Sequence, residues 1–147
     1  MTTIHASAVL VGARATLIRG AAGSGKSSLA FALIQAVGTG ALTFARLVGD
    51  DRVHVQAVHG RLLVRPAGTL EGLIEVRGLG IRKVPFEPVA VVGLVVDLGV
   101  ADTERLPPAE AAVTEVAGIR LPRLAVAPAE APLALLFAAL RTAESYR

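Results

Sequence analysis

Residues 20–27 read Gly20-Ala21-Ala22-Gly23-Ser24-Gly25-Lys26-Ser27. Gly20, Gly25, Lys26 and Ser27 take the fixed places of the Walker A pattern, which carries a mechanism. Glycines let the chain curl until successive N–H groups face one anion. A helix starting where the curl ends adds its own unbonded amides and its dipole. A lysine at this place reaches the β- and γ-phosphates of a nucleotide, and the next hydroxyl ligates Mg2+. Ser28 carries the turn into the helix. Lysine is scarce in this chain, at positions 26 and 83 alone, so a lysine inside the glycine turn is not background. The implied ligands are ATP and Mg2+. A serine-capped surface turn is the plainer reading, and it leaves the complete pattern, set between an apolar run and a helical one, unexplained.

Two further groups of residues bear on catalysis. Asp50 and Asp51 close the apolar run LTFARLVG, about one helix after the glycine turn, where a Walker B acid would stand. One carboxylate is enough to hold Mg2+ through water. Two allow a division of labour, one near the metal and one taking a proton from an acceptor hydroxyl. The third group is Glu75-Val76-Arg77-Gly78-Leu79-Gly80-Ile81. On a strand Glu75 and Arg77 share a face, so one can meet Mg2+ and the other a phosphate. The close glycines permit a sharp bend or a near approach to a ligand. Taken alone, this segment reads more simply as a strand and turn. Of the histidines, His54 and His59 are five apart and belong to a surface hairpin. His5 sits in the first strand, where an isolated histidine is ordinarily structural.

The elements that must position these groups are legible in outline. Residues 4–11 and 14–19 read as strands around Gly12-Ala13. Residues 26–37 form a helix with Leu29, Ala30, Leu33 and Val37 at helical spacing, stopped by Gly38 and Gly40. A strand over 42–48 leads to the aspartates. Residues 53–58 and 61–66 form a hairpin across His59-Gly60. A strand-like run broken by Gly78 and Gly80 follows Gly68. VAVVGLVVDL is a buried strand by its continuous apolar character. Short strands near 113–116 and 119–126 precede a helix from about 132 to 144. The expected fold class is α/β: a P-loop-containing, β-rich mixed sheet with a Walker A helix.

Composition sets the limits. At 147 residues with 53% hydrophobic and 18% charged side chains, residues 1–147 suit one domain around one core. No apolar run approaches the roughly 18–20 residues that span a bilayer, because Asp97 interrupts the longest, so no membrane association is expected. No signal-peptide pattern opens the chain, and a nucleotide site suits the cytoplasm. The net charge of +3 comes with 13 arginines that stand singly and only 3% aromatics, a poor footing for nucleic acid. With no cysteine, thiolate metal sites are excluded.

Together His5, GAAGSGKS, LVGDD and EVRGLGI resemble the catalytic domain of the HPr kinase/phosphorylase family, over residues 4–126. The resemblance implies a fold similar to phosphoenolpyruvate carboxykinases. It implies transfer of phosphate from ATP to a serine of HPr, the phosphocarrier of the sugar phosphotransferase system, and in many members phosphorolytic removal. It makes Lys26 the phosphate-binding lysine, and Ser27 and Glu75 contacts of Mg2+. Asp51 becomes the base of the forward reaction and the proton donor of the reverse one, with Asp50 and His5 as a pair that tunes it. Long members form hexamers, which implies a homo-oligomer. Against them the sequence resembles a short branch of the family, expected to do without the N-terminal domain, and has a longer segment between Lys26 and Asp50. It also reads VAPAEAPLALL where the long members carry an arginine. Phosphorolysis is therefore expected to be the weaker activity. A P-loop kinase of another substrate and an ATP-binding sensor remain as alternatives.

Overall fold

The computed structural model describes residues 1–142. Eleven strands and two helices are formed among them: β1 Thr2–Ile4, β2 Ala6–Val11, β3 Arg14–Arg19, α1 Lys26–Gly38, β4 Ala45–Gly49, β5 Val53–Val58, β6 Arg61–Pro66, β7 Leu73–Val76, β8 Gly80–Lys83, β9 Ala90–Leu98, β10 Val113–Val116, β11 Ile119–Val126 and α2 Pro132–Arg141. Nine strands make one mixed sheet with the path β1-β5-β6-β9-β3-β2-β4. β9 is its hub. On one side it runs parallel to β3. On the other, its first residues pair with β6 and its last four run parallel to β11, which carries β10 at its outer edge. β7 and β8 form a separate hairpin.

Period-two alternation sorts the central strands between two apolar clusters. Leu17, Val48 and Val95 pack with Val53, Val55, Leu62 and Val64, so β5 and β6 cover one face. Ile18, Leu47 and Val96 pack on the other face with Leu29, Ala30 and Leu33 of α1, Leu136 of α2 and Ile74 of β7. The helix lies against that face with Leu29, Ala30, Leu33 and Ala36 buried. Its N-terminus is thereby held at the end of β3, beside the end of β4.

The fold class is as expected, and most elements fall where the sequence places them. The β5–β6 hairpin turns at His59 and Gly60, both at positive φ (50° and 76°), the geometry of a type I′ turn. Four boundaries differ. Residues 4–11 are not one strand: the chain bends at His5, β1 pairing with β5 and β2 with β3 and β4. The strand before the aspartates starts at Ala45, because the Ala41 and Leu42 amides bond to the Ala36 carbonyl and finish α1. The run after Gly68 is a short 3-10 turn, Gly68–Leu70, followed by the β7–β8 hairpin. The expected C-terminal helix ends at Arg141 in the structure, and residues 143 and 144 lie outside the described residues.

Candidate functional site

The glycine turn joins β3 to α1, and two of its glycines are required by geometry. Gly25, the residue before the helix, has φ 100°, and Gly23 has φ 80°, a region that side chains disfavour. At Gly20 the constraint is space, since a Cβ there would collide with the Ser24 side chain. Lys26 is buried and folds back on the loop, its Nζ donating to the carbonyls of Gly20 at 2.9 Å and Ala21 at 3.2 Å. The Ser24 amide closes the turn on Ala21 O at 3.0 Å. Among the described residues, the amides of Ala22, Gly23, Gly25, Lys26, Ser27 and Ser28 have no acceptor in the protein. The buried Ser24 hydroxyl has none either. No acidic side chain offsets the dipole in the first turn of α1. Unspent donors, a buried lysine and an uncompensated helix end fit a polyphosphate.

Asp50, buried at the end of β4, gathers three donors. The Ser27 Oγ reaches both its oxygens at 2.8 Å, the Ser7 Oγ donates to Oδ1 at 2.6 Å and the Glu75 amide to Oδ2 at 3.0 Å. The helix, β2, β4 and β7 are tied together at this carboxylate. Its bond to the Walker A serine suits a cation held between them. Among the described residues no three acidic or histidine side chains gather, so a Mg2+ here would depend on phosphate oxygens and water, as Mg2+ usually does.

Asp51 is held differently. Its φ is 66°, and the Arg52 amide bonds back to the Asp50 carbonyl at 2.7 Å, making a γ-turn of the strained hand. An aspartate tolerates this backbone at a cost of about 1 kcal/mol. The Asp51 amide donates to the Ser7 Oγ at 3.2 Å. The side chain lines a cavity of about 490 Å³ with residues 22–28, Glu75 and Arg77. Glu75 lies at the cavity from β7, while Arg77 follows that strand in the β7–β8 turn. The two meet at one cavity across a strand and a turn, rather than on a shared strand face. Gly78 (φ 88°) shapes the turn and does not line the cavity. Gly20 and Ala21 serve through their carbonyls.

His5 is exposed at the bend between β1 and β2, and among the described residues no hydrogen bond joins it to either aspartate. The residue of this segment that touches both is Ser7, two positions on. A single hydroxyl between Ala6 and Ala8, in a strand otherwise apolar, is the signal that sequence reading passes over.

A second charged cluster lies one residue from the glycine turn. Arg19, the last residue of β3, and Arg123 of β11 both pair with Asp97 of β9, at 2.7 Å and 2.5 Å. Arg123 also pairs with Asp102 at 2.9 Å. Burial pushes the Asp97 pKa up, but the hydrogen bonds and charges of Arg19 and Arg123 outweigh it and hold the carboxyl below its ordinary range. The hydrogen bond to Asp102 pushes the Arg123 pKa further up, with Asp97 adding to it. The loop at 127–131 contains no arginine, and its Glu130 accepts the Ala127 amide at 3.0 Å.

A family model described as the HPr serine kinase C-terminal domain matches residues 1–87, more than half of the chain. This chain belongs to that family. Every residue lining the cavity falls inside the matched span. The HPr kinase/phosphorylase of Clostridium tetani is 38% identical over 84 residues, covering 57% of this chain and 25% of that protein. That of Clostridium beijerinckii is 39% identical over 80 residues, covering 54% and 24%. The chain thus spans about a quarter of the length of these relatives. A solved structure, the Hpr(Ser) kinase/phosphatase from Coxiella burnetii, superposes with a TM-score of 0.73 over 96% of this chain and 95% of that one. At 22% identity it shows a shared fold.

Proposed function

We propose that this chain is a single catalytic domain that uses ATP and Mg2+ to phosphorylate a serine of HPr, in the cytoplasm, as regulation of carbon metabolism requires. The observation that carries the reading is the convergence of Lys26, Ser27, Asp51, Glu75 and Arg77 on one cavity. A nucleotide-binding turn alone needs no free carboxylate beside it, whereas transfer to a hydroxyl does. When bound, ATP with Mg2+ supplies the transferable phosphoryl group and neutralises its charge.

The chain's own residues do the rest. The unbonded amides of residues 22, 23 and 25–28 and the Lys26 side chain hold the phosphates, and the loop carbonyls that Lys26 now meets release it for that task. Ser27 and Asp50 would hold the cation, with Glu75 beside them. Asp51 takes the proton of the serine hydroxyl as its oxygen bonds to phosphorus and the bond to ADP breaks. Arg77, which has no carboxylate partner among the described residues, faces the incoming charge. Arg123 is spent on Asp97 and Asp102, so it does not replace the arginine absent from 127–131. Phosphorolysis, which must also bind inorganic phosphate, is accordingly slower than the kinase reaction. Equal forward and reverse rates at saturation would contradict this.

The test is incubation of the pure protein with HPr and γ-labelled ATP, followed by location of the label. Label on one serine of HPr supports the reading. ATP binding without transfer to HPr or another acceptor would support a nucleotide-dependent regulator, a role that the arginine-free loop at 127–131 also suits.

A further inference from the structure

We propose that Ser7 is the positioning residue of Asp51, fixing the base in the geometry that transfer needs; the proposal rests on the kinase reading above. Ser7 is fully buried in β2, between Ala6 and Ala8, which are fully buried as well. A hydroxyl there is unfavourable unless its hydrogen-bonding capacity is used, and alanine would fill the same strand position without that penalty. Here the capacity is used twice, on consecutive residues. The hydroxyl proton goes to Asp50 Oδ1 at 2.6 Å, and a lone pair of the same oxygen accepts the Asp51 amide at 3.2 Å.

The two bonds have different consequences. Asp50 keeps other donors, the Ser27 hydroxyl and the Glu75 amide, so it stays in place without Ser7. The Asp51 amide has Ser7 as its acceptor, and Asp51 sits at φ 66°, where the backbone needs outside support. Donating its proton to a carboxylate aims the lone pairs of the Ser7 oxygen at that amide. One hydroxyl thereby couples the carboxylate that faces the Walker A serine to the backbone that aims the next carboxylate at the cavity. Displacement of a reacting group by an ångström can lower a rate about a hundredfold.

The experiment compares Ser7→Ala and Ser7→Thr, each alone and with Asp51→Asn. In Ser7→Ala, kcat for transfer to HPr falls about ten- to a hundredfold. KM for ATP stays within about threefold, since the phosphate-binding residues are untouched. Ser7→Thr, which restores the hydroxyl on a residue that suits strands, recovers most of the rate. With Asp51→Asn already present, Ser7→Ala lowers the rate no further, because the serine acts through that aspartate. Amide exchange, read by NMR without any acceptor, quickens at Asp51 in Ser7→Ala. Unchanged exchange at Asp51 overturns the proposal whatever the activity. So does a further loss on top of Asp51→Asn, or a rise in KM with kcat intact. Absence of transfer by the wild-type protein, with Asp51 exchange responding as stated, overturns the functional reading and with it the catalytic consequence, while leaving the bond itself established.

Discussion

Two charged regions begin at the end of β3, one residue apart, and they are built on opposite terms. Arg19 enters a closed network in which Asp97 is satisfied by two guanidiniums and Arg123 by two carboxylates. Gly20 opens a loop in which every amide from Ala22 to Ser28 except that of Ser24, and the Ser24 hydroxyl, lacks an acceptor among the described residues. Its lysine rests on backbone carbonyls and its neighbouring aspartate is held at positive φ. The first region uses its charges on the fold. The second leaves them for something else. The family match, residues 1–87, contains every residue of the open cavity, whereas of the closed network it contains Arg19 alone, with Asp97, Asp102 and Arg123 beyond it.

The largest effect that would break this contrast is at Asp51. Asparagine tolerates positive φ as well as aspartate does but does not accept a proton under these conditions. Asp51→Asn is expected to lower transfer by about 10²–10⁴ with nucleotide affinity nearly unchanged, by steady-state kinetics and nucleotide titration. Next is Lys26→Ala, which removes one electrostatic contact with the transferring group. It should lower the rate by about 10²–10³, and an unchanged rate would take the glycine turn out of the mechanism.

The closed region should answer in stability. Asp97→Ala leaves Arg19 without its carboxylate partner and Arg123 with Asp102 alone. Removal of one partner from a buried pair costs about 3–5 kcal/mol, and partial exposure of Arg19 with the retained Asp102 reduces this to about 2–4 kcal/mol in denaturant titration. The sign of its pH dependence follows from the lowered Asp97 pKa. A carboxylate depressed in the folded state stabilises above its unfolded pKa, ordinarily 3.8, and loses that contribution as pH falls through the folded value. The stability difference between the wild-type protein and Asp97→Ala is thus full near neutrality and closes below about pH 3.8. The smallest effect has the opposite sign. Asp51→Gly relieves about 1 kcal/mol of backbone strain and adds unfolded-state entropy that offsets part of it, leaving a gain below about 1 kcal/mol while abolishing the base.

What could be read from the sequence divides along the same line. The glycine turn, the helix after it and the His59-Gly60 hairpin are local, each contained in a few consecutive residues with a fixed conformational demand. Asp50 and Asp51 were placed by their position after a strand. The Arg19–Asp97–Arg123 network was not legible, because it depends on the register of three strands in which Arg19 meets Asp97 from 78 residues away. Ser7 was missed for a similar reason: only the pairing of β2 with β4 brings it under the aspartates. The bend at His5 is silent too, since the apolar run crosses it without a glycine or proline. Arg77 lines the cavity from a turn, where a face shared with Glu75 on one strand was expected.

The most direct test of the central claim is phosphoryl transfer measured side by side in the wild-type protein and Asp51→Asn, at saturating ATP and Mg2+, with HPr analysed by mass spectrometry. The account predicts phosphate on one serine of HPr with the wild-type protein and a rate lower by about a hundredfold or more with Asp51→Asn, both proteins binding ATP alike. Equal transfer by the two, or none by a wild-type protein that binds ATP, would contradict it.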